Sequence, residues 1–221
     1  MSVEVIIFRN VSTEHFKEDN IKEFIKDIPE GSIFYDLGAN LGWFSLYASA
    51  LGLNTYAFEM DKFNFNGLEE NIWWNKSLKG SIKAYNKGVA GFSGKCDMLY
   101  TNEEIGGHNK ILDLEDFSGP HKTEDFHMKR QIDVINLDEF IKEINLPYPE
   151  YLKIDIDGSE YSFLKGNPET LNNAKGLVIE LCTSNKFFDE CVNILESFGF
   201  VITKKYEIPG WDDGFNYVFI K

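Results

Sequence analysis

The sequence predicts an α/β fold: a mostly parallel sheet of seven strands with helices on both faces and an antiparallel strand pair at the C-terminal end. Three observations predict it. Short apolar runs alternate with amphipathic helical segments along most of the 221 residues, the pattern of β-α-β units. The first unit, Ile33-Phe34-Tyr35-Asp36-Leu37-Gly38-Ala39-Asn40-Leu41-Gly42-Trp43-Phe44-Ser45, reads as a strand, a tight glycine loop and a helix, the opening of a nucleotide-binding sheet. A later strand runs into Asp155-Ile156-Asp157-Gly158-Ser159-Glu160, which puts carboxylates where a strand's carboxyl end opens onto the crevice of such a sheet.

Taken in order, residues 3–8 form a strand-like run. Phe16, Ile21, Phe24, Ile25 and Ile28 then recur at helical spacing among Lys, Glu and Asp, an amphipathic helix that packs on the domain. Residues 1–221 read as one domain, with 1–30 as its strand and helix extension. The first strand reaches its acid at Asp36, and the loop after it needs glycine because the backbone turns sharply and lies close to a ligand. The following helix carries Trp43, Phe44, Leu46, Tyr47, Ala50 and Leu51 and stops at Gly52. A second strand over 55–58 ends in Glu59. A helix over about 61–75 carries Phe63, Phe65, Trp73 and Trp74, which read as core and interface.

Strands follow near 81–86, where Asn86 to Val89 are candidate ligand contacts, and over 95–101. Between 102 and 129 the periodicity breaks down around Gly106-Gly107, Gly119-Pro120, His108, His121 and His127. Long irregular stretches in compact domains are functional or disordered, and this one is expected to be a substrate-side loop with some local structure. A strand at 131–134, a helix at 137–144 and strands at 151–156 and 176–181 complete the alternation. An amphipathic helix with Phe187, Phe188, Cys191, Val192, Leu195 and Phe198 ends at Gly199, and 201–206 pairs with 216–220.

Composition excludes several classes. At 43% hydrophobic and 15% aromatic residues the chain packs a core. The net charge is −14, and Arg9 and Arg130 are the only arginines. Phosphate-led nucleic-acid binding needs clustered Lys and Arg, so no nucleic-acid partner is expected. Three scattered cysteines, Cys96, Cys182 and Cys191, lack zinc spacing and read as reduced thiols. No apolar run approaches membrane-spanning length. The expected setting is soluble and cytoplasmic, with no membrane partner; the oligomeric state is not legible.

The loop spacing narrows the ligand. In a dinucleotide-binding G-x-G-x-x-G the second glycine admits a pyrophosphate; here that position is Asn40 and the third is Trp43. What stands instead is D-x-G-x-N-x-G, with Glu59 about twenty residues on, where an acid accepts hydrogen bonds from two ribose hydroxyls. The loop resembles the first motif of S-adenosylmethionine-dependent methyltransferases, whose ligand carries no phosphate. The second acid loop leaves three readings open: a solvated turn, a divalent-metal site on Asp155 and Asp157, or a metal-free catalytic site. An EF-hand is excluded, because its first position would be Lys153 and its twelfth Leu164.

The ordered pair of Asp36-Leu37-Gly38-Ala39-Asn40-Leu41-Gly42 and Lys153-Ile154-Asp155-Ile156-Asp157-Gly158-Ser159-Glu160, with Phe58-Glu59, Leu137-Asp138 and Ile179-Glu180, resembles the FkbM family of methyltransferases from about 33 to 199. The resemblance implies a class I methyltransferase (Rossmann-like) fold, S-adenosyl-L-methionine as methyl donor, and O-methylation of a hydroxyl on a small molecule or sugar. It assigns Asp36, Gly38, Ala39, Asn40, Gly42, Glu59 and Met60 to the cofactor, and Asp155 to the reaction crevice. Met60 replaces a usual proline and Asp157 a usual glutamate.

Transfer from a sulfonium to a hydroxyl needs alignment and removal of the hydroxyl proton. Asp155, Asp157 and His108 are the candidate catalytic residues; a divalent metal is possible on the acids but not favoured. Two other classes compete: a non-catalytic cofactor- or partner-binding module on the same fold, and a nicotinamide oxidoreductase, which Asn40 and Trp43 disfavour.

Overall fold

The computed structural model describes residues 19–103, 105–107, 110–119 and 125–221. The strand-like run at 3–8, His108 and His121 lie outside the described residues. In chain order the elements are α1 (Asp19–Lys26), β1 (Ile33–Leu37), α2 (Trp43–Ala50), β2 (Asn54–Phe58), α3 (Lys62–Trp74) and β3 (Ser81–Tyr85). Then come β4 (Gly88–Ala90), β5 (Gly94–Tyr100), β6 (Lys110–Leu112), β7 (Met128–Asn136), α4 (Leu137–Glu143) and β8 (Tyr151–Ile154). The chain closes with α5 (Glu160–Gly166), α6 (Pro168–Asn173), β9 (Gly176–Cys182), α7 (Phe188–Ser197), β10 (Val201–Ile208) and β11 (Trp211–Ile220).

The main sheet has seven strands in the order β10-β11-β9-β8-β1-β2-β3. Neighbours from β3 to β9 are parallel, while β11 runs antiparallel to both β9 and β10. The chain moves outward from β1 to β3 and then returns to the other side of β1 with β8. That reversal is a topological switch point, and it opens a crevice at the carboxyl ends of β1 and β8.

Successive strand residues point to opposite faces, and both faces are covered. Phe34, Val178 and Val218 bury one face against Ile21, Phe24 and Ile25 of α1 and Ala48 of α2. Tyr35, Leu37, Leu152, Ile154 and Ile179 bury the other against Ile141, Phe163, Leu171 and Leu195. α1 is therefore a packing helix on the sheet face, as its apolar spacing predicts.

Within residues 102–129 lies β6, part of the local structure expected there, and β7 begins at Met128. With β4 and β5 these strands form a second, four-stranded sheet, β4-β7-β5-β6, in which β5 pairs antiparallel with β6 and β7, and β4 runs parallel to β7. The α3 aromatics divide between the interior and the surface. Trp73 is 58% exposed and stands edge-on to Trp74, because it falls on the solvent side of the last turn.

Among the described residues no helix is long and apolar enough to cross a membrane.

Candidate active site

β1 ends at Leu37 and the chain turns through Gly38 (φ +79), Asn40 (φ +49) and Gly42 (φ +91) before α2 begins. Gly38 is dictated by its surroundings: a Cβ there would overlap the backbone carbonyl of Asp155. The two acid-bearing loops thus touch backbone to backbone. Gly38→Ala adds that clash to an unfavourable φ, and is expected to cost several kcal/mol, enough to unfold a marginal domain; a thermal melt within about 2 °C of wild type would contradict the geometry.

Glu59 follows β2 directly. Its Oε2 accepts from the Asn40 backbone N–H at 2.8 Å and its Oε1 from the Asp61 N–H at 2.8 Å. Each oxygen retains acceptor capacity, and Glu59 lines the cleft. Burial pushes its carboxyl up to about 7, against the pull of those two N–H donors. Asp61 then caps α3, accepting from the N–H groups of Phe63 and Asn64 at 3.0 Å. Its carboxylate also holds buried Lys110 of β6 at 3.1 Å and Arg130 of β7 at 3.5 Å. The second sheet is pinned in this way to the start of α3.

Beyond β8 the chain enters Asp155, Ile156 and Asp157, the last at φ +49, a left-handed conformation that a side-chain-bearing residue adopts at a cost. Asp155 and Asp157 both line the cleft. Asp157 is held well above the usual carboxylate range by burial, and further by Asp155, Glu160 and Glu59 nearby. Glu160, buried at the start of α5, accepts from the N–H groups of Ile156 (3.1 Å) and Gly158 (3.3 Å) and from Ser118 Oγ (3.0 Å). Burial raises it as well. Ser118 also donates from its N–H to the Gly158 carbonyl at 2.7 Å, so the segment leading out of β6 braces the acid loop from outside.

Gly38, Ala39, Asn40, Glu59, Met60, Asp155 and Asp157 meet at one cleft with Lys87, Gly88, Val89 and Lys110. Asp36 and Gly42 stand under it rather than in its lining. Asp36 is fully buried, accepts from Ser45 Oγ at 2.6 Å, and lies 3.3 Å from Lys153 Nζ. Asn86 acts through its side chain, whose Nδ2 donates to the backbone carbonyls of Glu59 (2.8 Å) and Met60 (3.1 Å).

Sequence reasoning assigned no role to Lys153, Lys110, Asn64 or Glu160. A lysine inside the otherwise apolar strand β8 was a visible signal. Lys110 and Asn64 carried none, because their partners depend on the second sheet.

Three raised carboxyls set a pH dependence. Each binds its proton more readily folded than unfolded, so its stabilising contribution is complete below about pH 4 and is lost as pH rises through its folded value. For Glu59 that value is about 7. The carboxylates of Asp133, Glu150 and Glu169, paired with lysines, are held low and titrate below this window. The free protein should therefore lose thermal stability between about pH 5 and 7.5, and Glu59→Gln should flatten the slope. A melting temperature that climbs across that interval would contradict the assignment.

A seven-stranded sheet in this order, with its cleft at the switch point, is the class I methyltransferase fold. The chain belongs to the FkbM methyltransferase family, whose domain profile matches residues 36–202. Methyltransferase 1 of Beauveria bassiana is 27% identical over 201 residues, covering 85% of this chain and 78% of that protein. The hexuronic acid methyltransferase AglP of Haloferax volcanii is 24% identical over 75% of this chain, which spans 62% of AglP. Among solved structures, Aeropyrum pernix fibrillarin with natively bound S-adenosyl-L-methionine aligns with a TM-score of 0.54 at 10% identity, over 87% of this chain and 67% of that one.

Proposed function

We propose that the chain is an S-adenosylmethionine-dependent O-methyltransferase acting on a hydroxyl of a small molecule or sugar. The observation that carries the reading is the cleft itself, which gathers Glu59 and the Asp155–Asp157 loop around the glycine turn at Gly38. The donor set suits the cofactor. Glu59 keeps acceptor capacity on both oxygens inside a buried cleft wall, and a ribose diol offers two hydroxyl donors. S-adenosylmethionine would supply the methyl group from its sulfonium and leave as a neutral thioether.

The chain's own residues do the rest. Glu59 would hold the ribose hydroxyls, Lys87, Gly88 and Val89 with Met60 would hold the base, and Gly38 to Asn40 would hold the amino-acid end. Asp155, at the carboxyl end of β8, accepts the acceptor's hydroxyl proton. Asp157, whose carboxyl is held well above the usual carboxylate range by burial and by Asp155, orients that oxygen by a hydrogen bond. Among the described residues no group of three or more His, Cys, Asp or Glu side chains is placed to hold a metal ion. His108 remains the alternative base.

The net charge of −14 favours a small acceptor over RNA, and the hexuronic acid relative supports a sugar. The three free thiols suit a reducing cytoplasm. The test is transfer of labelled methyl from S-adenosylmethionine to glycans and metabolites of cells lacking the gene. Products heavier by one methylene support the reading, and label appearing only on tRNA refutes it.

A further inference from the structure

Among the described cations lining the cleft, Lys153 is the most deeply buried, with its side chain 2% exposed. Its Nζ lies 3.3 Å from Asp36 Oδ1 and 3.1 Å from Asp155 Oδ2. It donates to the Gly38 carbonyl at 3.0 Å and sits 5.5 Å over the Phe44 ring. One ammonium thus joins the glycine turn, the acid beneath it and the acid facing the acceptor. Burying a lysine is costly, and a hydrophobic residue would fill this strand position at no electrostatic cost.

We infer that Lys153 is a positioning residue that balances the charge around the cofactor's sulfur, setting how strongly the site prefers the sulfonium form over the neutral thioether. The inference rests on the proposed cofactor site. Positive charge is present on sulfur before transfer and dispersed during it. Carboxylates left uncompensated there would stabilise the starting state more than the transition state and slow the reaction. Asp36 and Asp155 are two such carboxylates, and Lys153 offsets them while holding Asp155 against the glycine turn.

S-adenosylmethionine and S-adenosylhomocysteine are well-defined probes, because they differ at this sulfur by one methyl and one charge. Removing Lys153 alone would leave Asp36 buried without its cation, an uncompensated charge that would destabilise the site and confound the comparison. The comparison is therefore Lys153→Met/Asp36→Asn against Asp36→Asn, by calorimetry at about pH 8, well above the ordinary carboxylate range. The ratio of dissociation constants, homocysteine form over methionine form, should rise at least about tenfold when the lysine is lost, the effect of a unit charge acting across about 12 Å at an effective dielectric of about 20. Lys153→Arg/Asp36→Asn should hold the ratio within about twofold of Asp36→Asn, since the charge remains.

A merely structural lysine would weaken both ligands together and leave the ratio unchanged in the methionine variant; that result overturns the inference. Should Lys153→Met/Asp36→Asn not fold, Lys153→Gln/Asp36→Asn gives the same comparison with a polar chain. Failure of either probe to bind wild type would instead count against the proposed cofactor, a distinct outcome.

Discussion

Glu59→Ala is expected to weaken S-adenosylmethionine binding by about two to four orders of magnitude. The loss is two charge-assisted hydrogen bonds to the ribose, at about 1.5–3 kcal/mol each. The same carboxylate holds the N–H groups of Asn40 and Asp61, so the alanine variant also loosens the glycine turn. Glu59→Gln keeps one acceptor oxygen and should fall between the two. Affinity for wild type should also rise with pH through about 7, where the free carboxyl titrates, because ribose donors favour the ionised form. Calorimetry in buffers of different ionisation enthalpy should record proton release on binding near neutral pH. Unchanged affinity in Glu59→Ala would remove this residue from the cofactor site.

Asp155→Asn is expected to lower turnover about 10²–10⁴-fold with little change in affinity for the uncharged product S-adenosylhomocysteine, the range for loss of a positioned proton acceptor. Asp157→Asn should cost less, within about tenfold. Its carboxyl is held up by burial and by Asp155, and an amide N–H replaces the hydrogen bond that a protonated acid donates. The ordering of the two variants is the informative result. Equal losses would mean that the acids act as a pair. Each assay should be run with and without chelator: loss of wild-type activity on chelation, restored by magnesium or manganese, contradicts the metal-free mechanism. Full activity in Asp155→Asn passes the role to His108.

The parts of this fold that repeat a local pattern were legible from residues alone. The turn from β1 to α2 announces itself through Gly38 and Gly42, and α3 through its cap at Asp61. The closing pair β10 and β11 shows in apolar runs flanking Pro209-Gly210. The second sheet was not legible, because β4 and β6 are three residues each and owe their existence to partners distant in sequence. A run as short as Lys110-Ile111-Leu112 carries no period. Exposure of Trp73 was hidden for a related reason: helical spacing says which residues share a face, not which face meets the core. At the site, the acids were visible as motif letters, but their unequal environments arise from tertiary packing. Ser118 bracing Gly158 and Glu160, and Lys153 bridging Asp36 and Asp155, join residues from about 40 to more than 100 positions apart.

The proposed function requires that the cleft at the ends of β1, β2 and β8 hold S-adenosylmethionine. Titration calorimetry of the wild-type protein with S-adenosylhomocysteine, and separately with NAD, tests it most directly. The account predicts saturable one-site binding of S-adenosylhomocysteine, lost in Glu59→Ala, and no measurable heat with NAD. Tight NAD binding, with no response to S-adenosylhomocysteine, would contradict it.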